Sequence, residues 1–222
     1  MPTDTRTTLL DLIATHSFKL GDFTLASGQK SDYYIDCRIT TLHAEGGRLS
    51  GLLLYDLIRE HAPHAEAVGG LTMGADPLVS NTASASAWAL ADFNEIRELS
   101  DALELSANER SDEGPAPTLI HGFLVRKAEK THGTGRRIEG FLKPGAHVVI
   151  VDDVCTTGGS TITAIEATRE AGMHVAGVLC LVDREQGGRA NIEATIPNVP
   201  FIAAFTANDV RRAHVALSRK TK

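Results

Sequence analysis

The sequence predicts an α/β fold in which a central, mostly parallel sheet is flanked by helices. Two observations carry this expectation. The apolar runs HVVIVDD, HVAGVLCLVD and VPFIAAF read as strands buried on both faces, and segments of helical periodicity separate them. Regular alternation of strand and helix favours a parallel sheet covered on both sides.

Leu9, Leu10 and Ile13 stand at helical spacing, and KLGDFTLASGQKSDYYIDCR changes to short β-like runs broken by Gly21 and Gly28; a helix and then a hairpin are expected. Leu49, Leu52, Leu53 and Leu57 form one face of a helix that Pro63 stops, and AEAVGG reads as a short buried strand. A helix begins near Pro77. Across residues 81–117, Trp88, Phe93, Ile96, Leu99 and Leu103 suggest one or two amphipathic helices before ANERSDEGPAP turns polar, so an inserted helical segment is expected. There follow a strand in TLIHGFLVR, a glycine-rich basic loop over residues 126–140, the strand HVVIVDD, and a helix from about Gly159 to Ala171. The strand HVAGVLCLVD, a polar turn with a short helix, the strand VPFIAAF and a last helix complete the chain.

At 222 residues one core with an appendage is expected, a single domain over 1–222. Hydrophobic residues at 42% and charged residues at 23% suit a globular chain. No stretch approaches the roughly 18 apolar residues of a membrane span, and the amino end lacks the basic start and apolar block of a secretory signal, so a cytoplasmic protein without a membrane partner is expected. Cys37, Cys155 and Cys180 are odd in number without CxxC spacing and read as reduced thiols; His61 and His64 read as surface residues. A net charge of −6 argues against a nucleic-acid surface but leaves room for small anions where positive charge is gathered locally.

Two segments can carry chemistry. In VVIVDDVCTTGGST, residues 148–161, an apolar strand ends in Asp152 and Asp153, at the strand end where ligands bind in open α/β sheets. The following glycines, hydroxyls and amides open a helix and make a phosphate seat. The acids would repel a bare phosphate. With a sugar phosphate both halves agree, because the carboxylates accept ribose hydroxyls or hold Mg²⁺ while the loop binds the phosphate. A loop cap, or the acidic end of a nucleotide-hydrolase strand, are the alternatives, although neither GxxxxGK[ST] nor a GxGxxG after a strand is present. In the second segment, VRKAEKTHGTGRRIEG, five Lys/Arg and a histidine lie among glycines at 133 and 135. Such a mobile loop can close over a polyanion and stabilise a departing diphosphate; a solvated basic loop is the plain alternative.

VVIVDDVCTTGGST resembles the PRPP-binding signature of the type I phosphoribosyltransferases, PRPP being 5-phosphoribosyl 1-diphosphate. RKAEKTHG is similar to the RKxxKxHG loop of the orotate-using members, and FTLASGQKSDYYIDCR, VGGLTMGADPL and LVDREQGG resemble further segments of the same subgroup. The resemblance implies a small N-terminal hood over about residues 1–40, above the pyrimidine. It implies that PRPP is bound by Arg126, Lys127, Lys130, His132, Asp152, Asp153, Val154, Cys155, Thr156, Thr157, Gly158, Gly159, Ser160, Thr72 and Met73. Orotate is expected at Thr156, Arg184, Tyr34 and Ile35, with Arg184 pairing its carboxylate. Catalysis is expected from Lys130, His132, Asp152 and Asp153. The cofactor implied is Mg²⁺, carried mainly by PRPP with Asp152 and Asp153 within reach. A homodimer is implied, in which Lys130 and His132 arrive from the neighbouring subunit. Thr72 and Met73 stand where many members have a tyrosine and a lysine, and Ala26 where many have a lysine; Lys30 lies four residues further on.

The reaction so implied is orotate plus PRPP giving orotidine 5-phosphate and diphosphate, in pyrimidine (UMP) synthesis. A transferase for another base, such as uracil or a purine, is the runner-up. A non-catalytic regulator that binds nucleic acid is the alternative from a different class, which the acidic balance disfavours.

Overall fold

The computed structural model describes residues 3–24, 30–103, 116–127 and 137–220. At the amino end α1 (Thr3–Leu12) runs through a π-helical turn (Ile13–Ser17) into an antiparallel hairpin of β1 (Phe18–Thr24) and β2 (Lys30–Ile35). A short helix, α2 (Arg38–Thr41), leads to α3 (Ala44–His61) and β3 (Ala67–Leu71). Then come α4 (Asp76–Ala102), β4 (His121–Val125), β5 (Ile138–Gly140), β6 (His147–Cys155) and α5 (Gly159–Glu170). The chain continues with β7 (His174–Asp183), α6 (Gly188–Thr195), β8 (Phe201–Thr206) and α7 (Ala207–Lys220).

Six strands form one sheet in the order β5-β4-β3-β6-β7-β8. β5 runs antiparallel to β4, and the other pairings are parallel. The two sides of the strands explain the unbroken apolar runs. Val149 and Val151 of β6 pack with Leu53, Leu54 and Leu78, whereas Val148 and Ile150 pack with Phe123, Ile165 and Met173 on the opposite face. From β3 the chain moves outward to β4, and from β6 it moves outward to β7 on the other side. The loops after β3 and β6 therefore part, and open a crevice at the carboxyl edge of the sheet.

The hairpin is docked by the far end of the chain. Arg211 of α7 pairs with Asp32 of β2, Arg6 donates to the Ala204 carbonyl, and His214 Nδ1 lies 2.8 Å from the Ala14 carbonyl oxygen.

Where a helical insertion was expected from about residue 81, one helix of 27 residues, Asp76–Ala102, grows directly out of the turn after β3, with no break near residue 81. It stays continuous because no glycine or proline follows Pro77 until the helix has ended. Its first turns bury Leu78, Val79 and Ala85, while Trp88, Ile96 and Leu99 are exposed. Residues 104–115 of that segment lie outside the described residues. No helix among the described residues is long and apolar enough to cross a membrane.

Candidate active site

β6 delivers Asp152 and Asp153 to the crevice. Asp152 is buried and accepts a hydrogen bond of 2.7 Å from Thr161 Oγ1 in the first turn of α5. Burial first, and the neighbouring Asp153 next, push the Asp152 carboxyl up from 3.8 to about 7. Burial also raises Asp153; the Val154 amide pulls it down, Asp36 raises it further, and Arg38 opposes the rise. The two acids titrate as a pair that takes up charge most readily when a cationic or hydroxyl-bearing ligand arrives.

Opposite them, the turn after β3 brings Thr72, Met73 and Gly74. The Thr72 amide donates to the Val125 carbonyl at 2.9 Å, tying the turn to the end of β4. Gly74 is required by its neighbour: a Cβ there would run into the Asp153 carboxylate.

Between Cys155 and α5, residues 156–158 form the glycine loop. Gly158 takes a left-handed conformation, φ 80°, immediately before α5. The loop is braced by α6, since Asn191 Nδ2 donates to the Thr157 carbonyl at 3.0 Å and Ile192 packs under Gly158. Amides in the first turn of α5 lack helical partners and face outward as a seat for an anion. The Cys155 side chain is turned into the core, so only its backbone can serve a ligand.

A cleft of about 260 Å³ joins these parts. Of the residues expected from the sequence, it is lined by Tyr34, Ile35, Thr72, Met73, Lys127, Asp152, Asp153, Val154 and Ser160. Four more lining residues, Asp36, Arg38, Leu71 and Gly74, were not anticipated. Thr156, Thr157, Gly158 and Gly159 form the adjoining loop. Arg126 does not line the cleft; its Nη1 lies 3.4 Å from Glu139 Oε1 in β5. Lys130, His132 and Ala26 lie outside the described residues.

Arg184, at the end of β7, is also outside the lining but adjoins it through the hood. Its amide donates to the Cys155 carbonyl at 2.9 Å, and its guanidinium stacks 4.8 Å from the centre of the Tyr33 ring. Nε contacts the Tyr33 hydroxyl at 3.4 Å and Nη2 the Ser31 hydroxyl at 3.3 Å. With 8% exposure the arginine is buried, yet no carboxylate pairs with it among the described residues. Alternation along β2 produces this arrangement: Ser31 and Tyr33 share one face of the strand, and the next residue, Tyr34, reaches the cleft.

Residues 44–204 match the phosphoribosyl transferase domain family. The orotate phosphoribosyltransferase of Synechocystis sp. is 41% identical over 207 residues, covering 93% of this chain and 88% of that protein. The chain belongs to the orotate phosphoribosyltransferases. The crystal structure of the Mycobacterium tuberculosis orotate phosphoribosyltransferase in complex with Fe(III) dicitrate superposes with a TM-score of 0.70 at 32% identity, over 93% of this chain and 98% of that one. The same enzyme in complex with PRPP aligns with a TM-score of 0.65 at 27% identity, over 95% of this chain and 93% of the other. Membership in this family of phosphoribosyltransferase enzymes agrees with the resemblance carried by VVIVDDVCTTGGST and RKAEKTHG, and the expected α/β architecture with its parallel sheet is the one found. Met73, where many orotate phosphoribosyltransferases have a lysine, is 67% exposed at the cleft.

Proposed function

We propose that the enzyme joins orotate to the ribosyl phosphate of PRPP, releasing diphosphate and giving orotidine 5-phosphate for pyrimidine nucleotide synthesis. The observation that carries the choice of base is Arg184: a guanidinium buried without a carboxylate partner among the described residues, and held flat by Tyr33, calls for an anionic ligand such as the orotate carboxylate. Thr156, Tyr34 and Ile35 border the same ligand.

In this reading residues 156–160 hold the 5-phosphate, and Asp152 and Asp153 accept the ribose hydroxyls. As the ring nitrogen of orotate attacks and diphosphate departs, positive charge grows on the ribose, and the acid pair lies where it stabilises that charge. The pair also fits a Mg²⁺ brought by PRPP, because two adjacent, mutually repelling carboxylates are stabilised by a cation. When bound, that ion supplies neutralising charge to the leaving diphosphate. Lys127 reaches the cleft from the start of the basic loop; Lys130 and His132 are assigned to the diphosphate from the second copy of a homodimer. Exposed Ile39, Leu42, Met73 and Trp88 give such a copy apolar surface to cover. Three buried, unbridged cysteines suit a reducing compartment, the cytoplasm.

Diphosphate release measured with PRPP, Mg²⁺ and a panel of orotate, uracil and hypoxanthine tests the reading. Release with orotate alone is expected; release only with another base would overturn it. A Gly74→Ala variant, in which the new methyl displaces the Asp153 carboxylate, is expected to lose about tenfold in kcat/KM for PRPP with its melting temperature within a few degrees of the parent. Unchanged kcat/KM would mean that Asp153 need not hold its position.

A further inference from the structure

The cleft raises a problem of charge. Asp36, Asp152 and Asp153 line it, against two cations among the described residues, Arg38 and Lys127. A polyanion entering here meets three carboxylates. The phosphate loop relieves this at one end only, since of residues 156–160 Ser160 alone borders the cleft. The other end, bounded by the turn at residues 71–74 and by the start of α2, needs a positive group of its own.

We infer that Arg38, oriented by Asp36, binds the diphosphate of PRPP. This rests on the PRPP reading above and adds a residue, the last of FTLASGQKSDYYIDCR, to which the resemblance assigned no role. Asp36 stands just after β2 and organises the arginine in two ways. Its Oδ1 accepts the Arg38 amide at 3.1 Å, which fixes the first residue of α2. Its two oxygens then grip the side chain as a fork, with Nε to Oδ1 at 2.8 Å and Nη2 to Oδ2 at 2.7 Å. Of the five N–H groups of a guanidinium, two are engaged in this fork, and the outer edge remains free to donate.

The Arg38 side chain is 44% exposed although it is clamped, so the clamp sets direction without withdrawing the group from a ligand. Its charge is felt by Asp153, which it pulls towards the ionised form while Asp36 pushes the other way. Arg38 and Asp153 both line the cleft, so the guanidinium faces the same space as the carboxylate assigned to the ribose. A ligand whose sugar lies on Asp152 and Asp153, and whose 5-phosphate lies in the glycine loop, directs its diphosphate away from that loop. Besides Lys127, at the start of the basic loop, the cation that the cleft wall supplies among the described residues is Arg38. Its position also answers the exposed Met73: a thioether at the turn carries no charge, and the guanidinium is supplied from across the cleft by the hood.

Calorimetric titration of the full chain with PRPP, inorganic diphosphate and ribose 5-phosphate, each with Mg²⁺, tests this. Arg38→Ala is expected to weaken PRPP and diphosphate by roughly 10- to 100-fold and to leave ribose 5-phosphate within about twofold, because only the first two reach the arginine. Asp36→Glu, which keeps the carboxylate charge but shifts the fork by one methylene, is expected to weaken the same two ligands by a smaller factor. Equal loss for all three ligands would mark Arg38 as structural, and unchanged diphosphate binding would remove its role; either result overturns the inference. A parent protein that binds none of the three would instead overturn the PRPP reading on which it rests.

Discussion

An Arg184→Met variant is expected to lose at least about 100-fold in kcat/KM for orotate while its affinity for PRPP stays within about threefold. Methionine fills most of the volume above the Tyr33 ring but offers neither charge nor a donor. Removing one member of a buried, hydrogen-bonded charge pair costs roughly 2–5 kcal/mol, and the middle of that range is a factor of several hundred. The loss is expected to fall on the base because Arg184 is held by Ser31 and Tyr33 and is not among the residues that line the cleft proposed for PRPP. Steady-state rates with PRPP saturating and orotate varied give the first number, and PRPP titration the second. A kcat/KM for orotate close to that of the parent would take the carboxylate away from Arg184.

Asp152→Asn is expected to move stability and turnover in opposite directions. The folded carboxyl titrates near 7 against an ordinary 3.8. Between these values the unfolded chain has released a proton that the folded chain retains, so the stability associated with the protonated group is present below about pH 4 and is lost as pH rises through 7. Above that point the buried charge costs on the order of 4 kcal/mol. Asparagine keeps an acceptor for Thr161 and removes the charge. The variant should therefore melt higher than the parent at about pH 8, with a smaller gain at about pH 5, and should turn over at least about 100-fold more slowly if, as proposed, the acid pair faces the ribose. Thermal melts at the two pH values and a single-substrate rate series check both halves. An equal gain at both pH values, or turnover within threefold of the parent, would contradict this account.

How much was legible depends on distance along the chain. β7 occupies His174–Asp183, the span of the run HVAGVLCLVD, because a strand buried on both faces writes itself as continuous apolar sequence and stops at its first charge. The acid pair and glycine loop were legible for the same local reason: strand, turn and helix start are contiguous. β5 has three residues, too few for any periodicity, and escaped notice. The continuity of α4 was hidden by NTASASA, whose small polar residues resemble a loop; Asn81 in fact donates to the Thr41 carbonyl at 3.2 Å, and small side chains let α4 lie close to α3. Asp36 and Arg38 read as the tail of a hairpin, because nothing nearby in sequence announces Asp153 as their neighbour. The resemblance supplied Arg184, but Tyr33 and Ser31, which hold it, are 151 and 153 residues away and only folding brings them together.

The docking of the hairpin onto α7 has a consequence for synthesis. A ribosome makes the hairpin well before the helix carrying Arg211 and His214, and the contact from Ala14 to His214 spans 200 residues of chain. Domains fold as units while the chain emerges, and a pairing of this reach waits for α7. The sheet and its glycine loop can mature on the nascent chain, whereas the surface around Tyr33 and Arg184 closes only once α7 has been made. A chain interrupted before α7 would therefore carry VVIVDDVCTTGGST without the docked hairpin, and is expected to lack selection of the base.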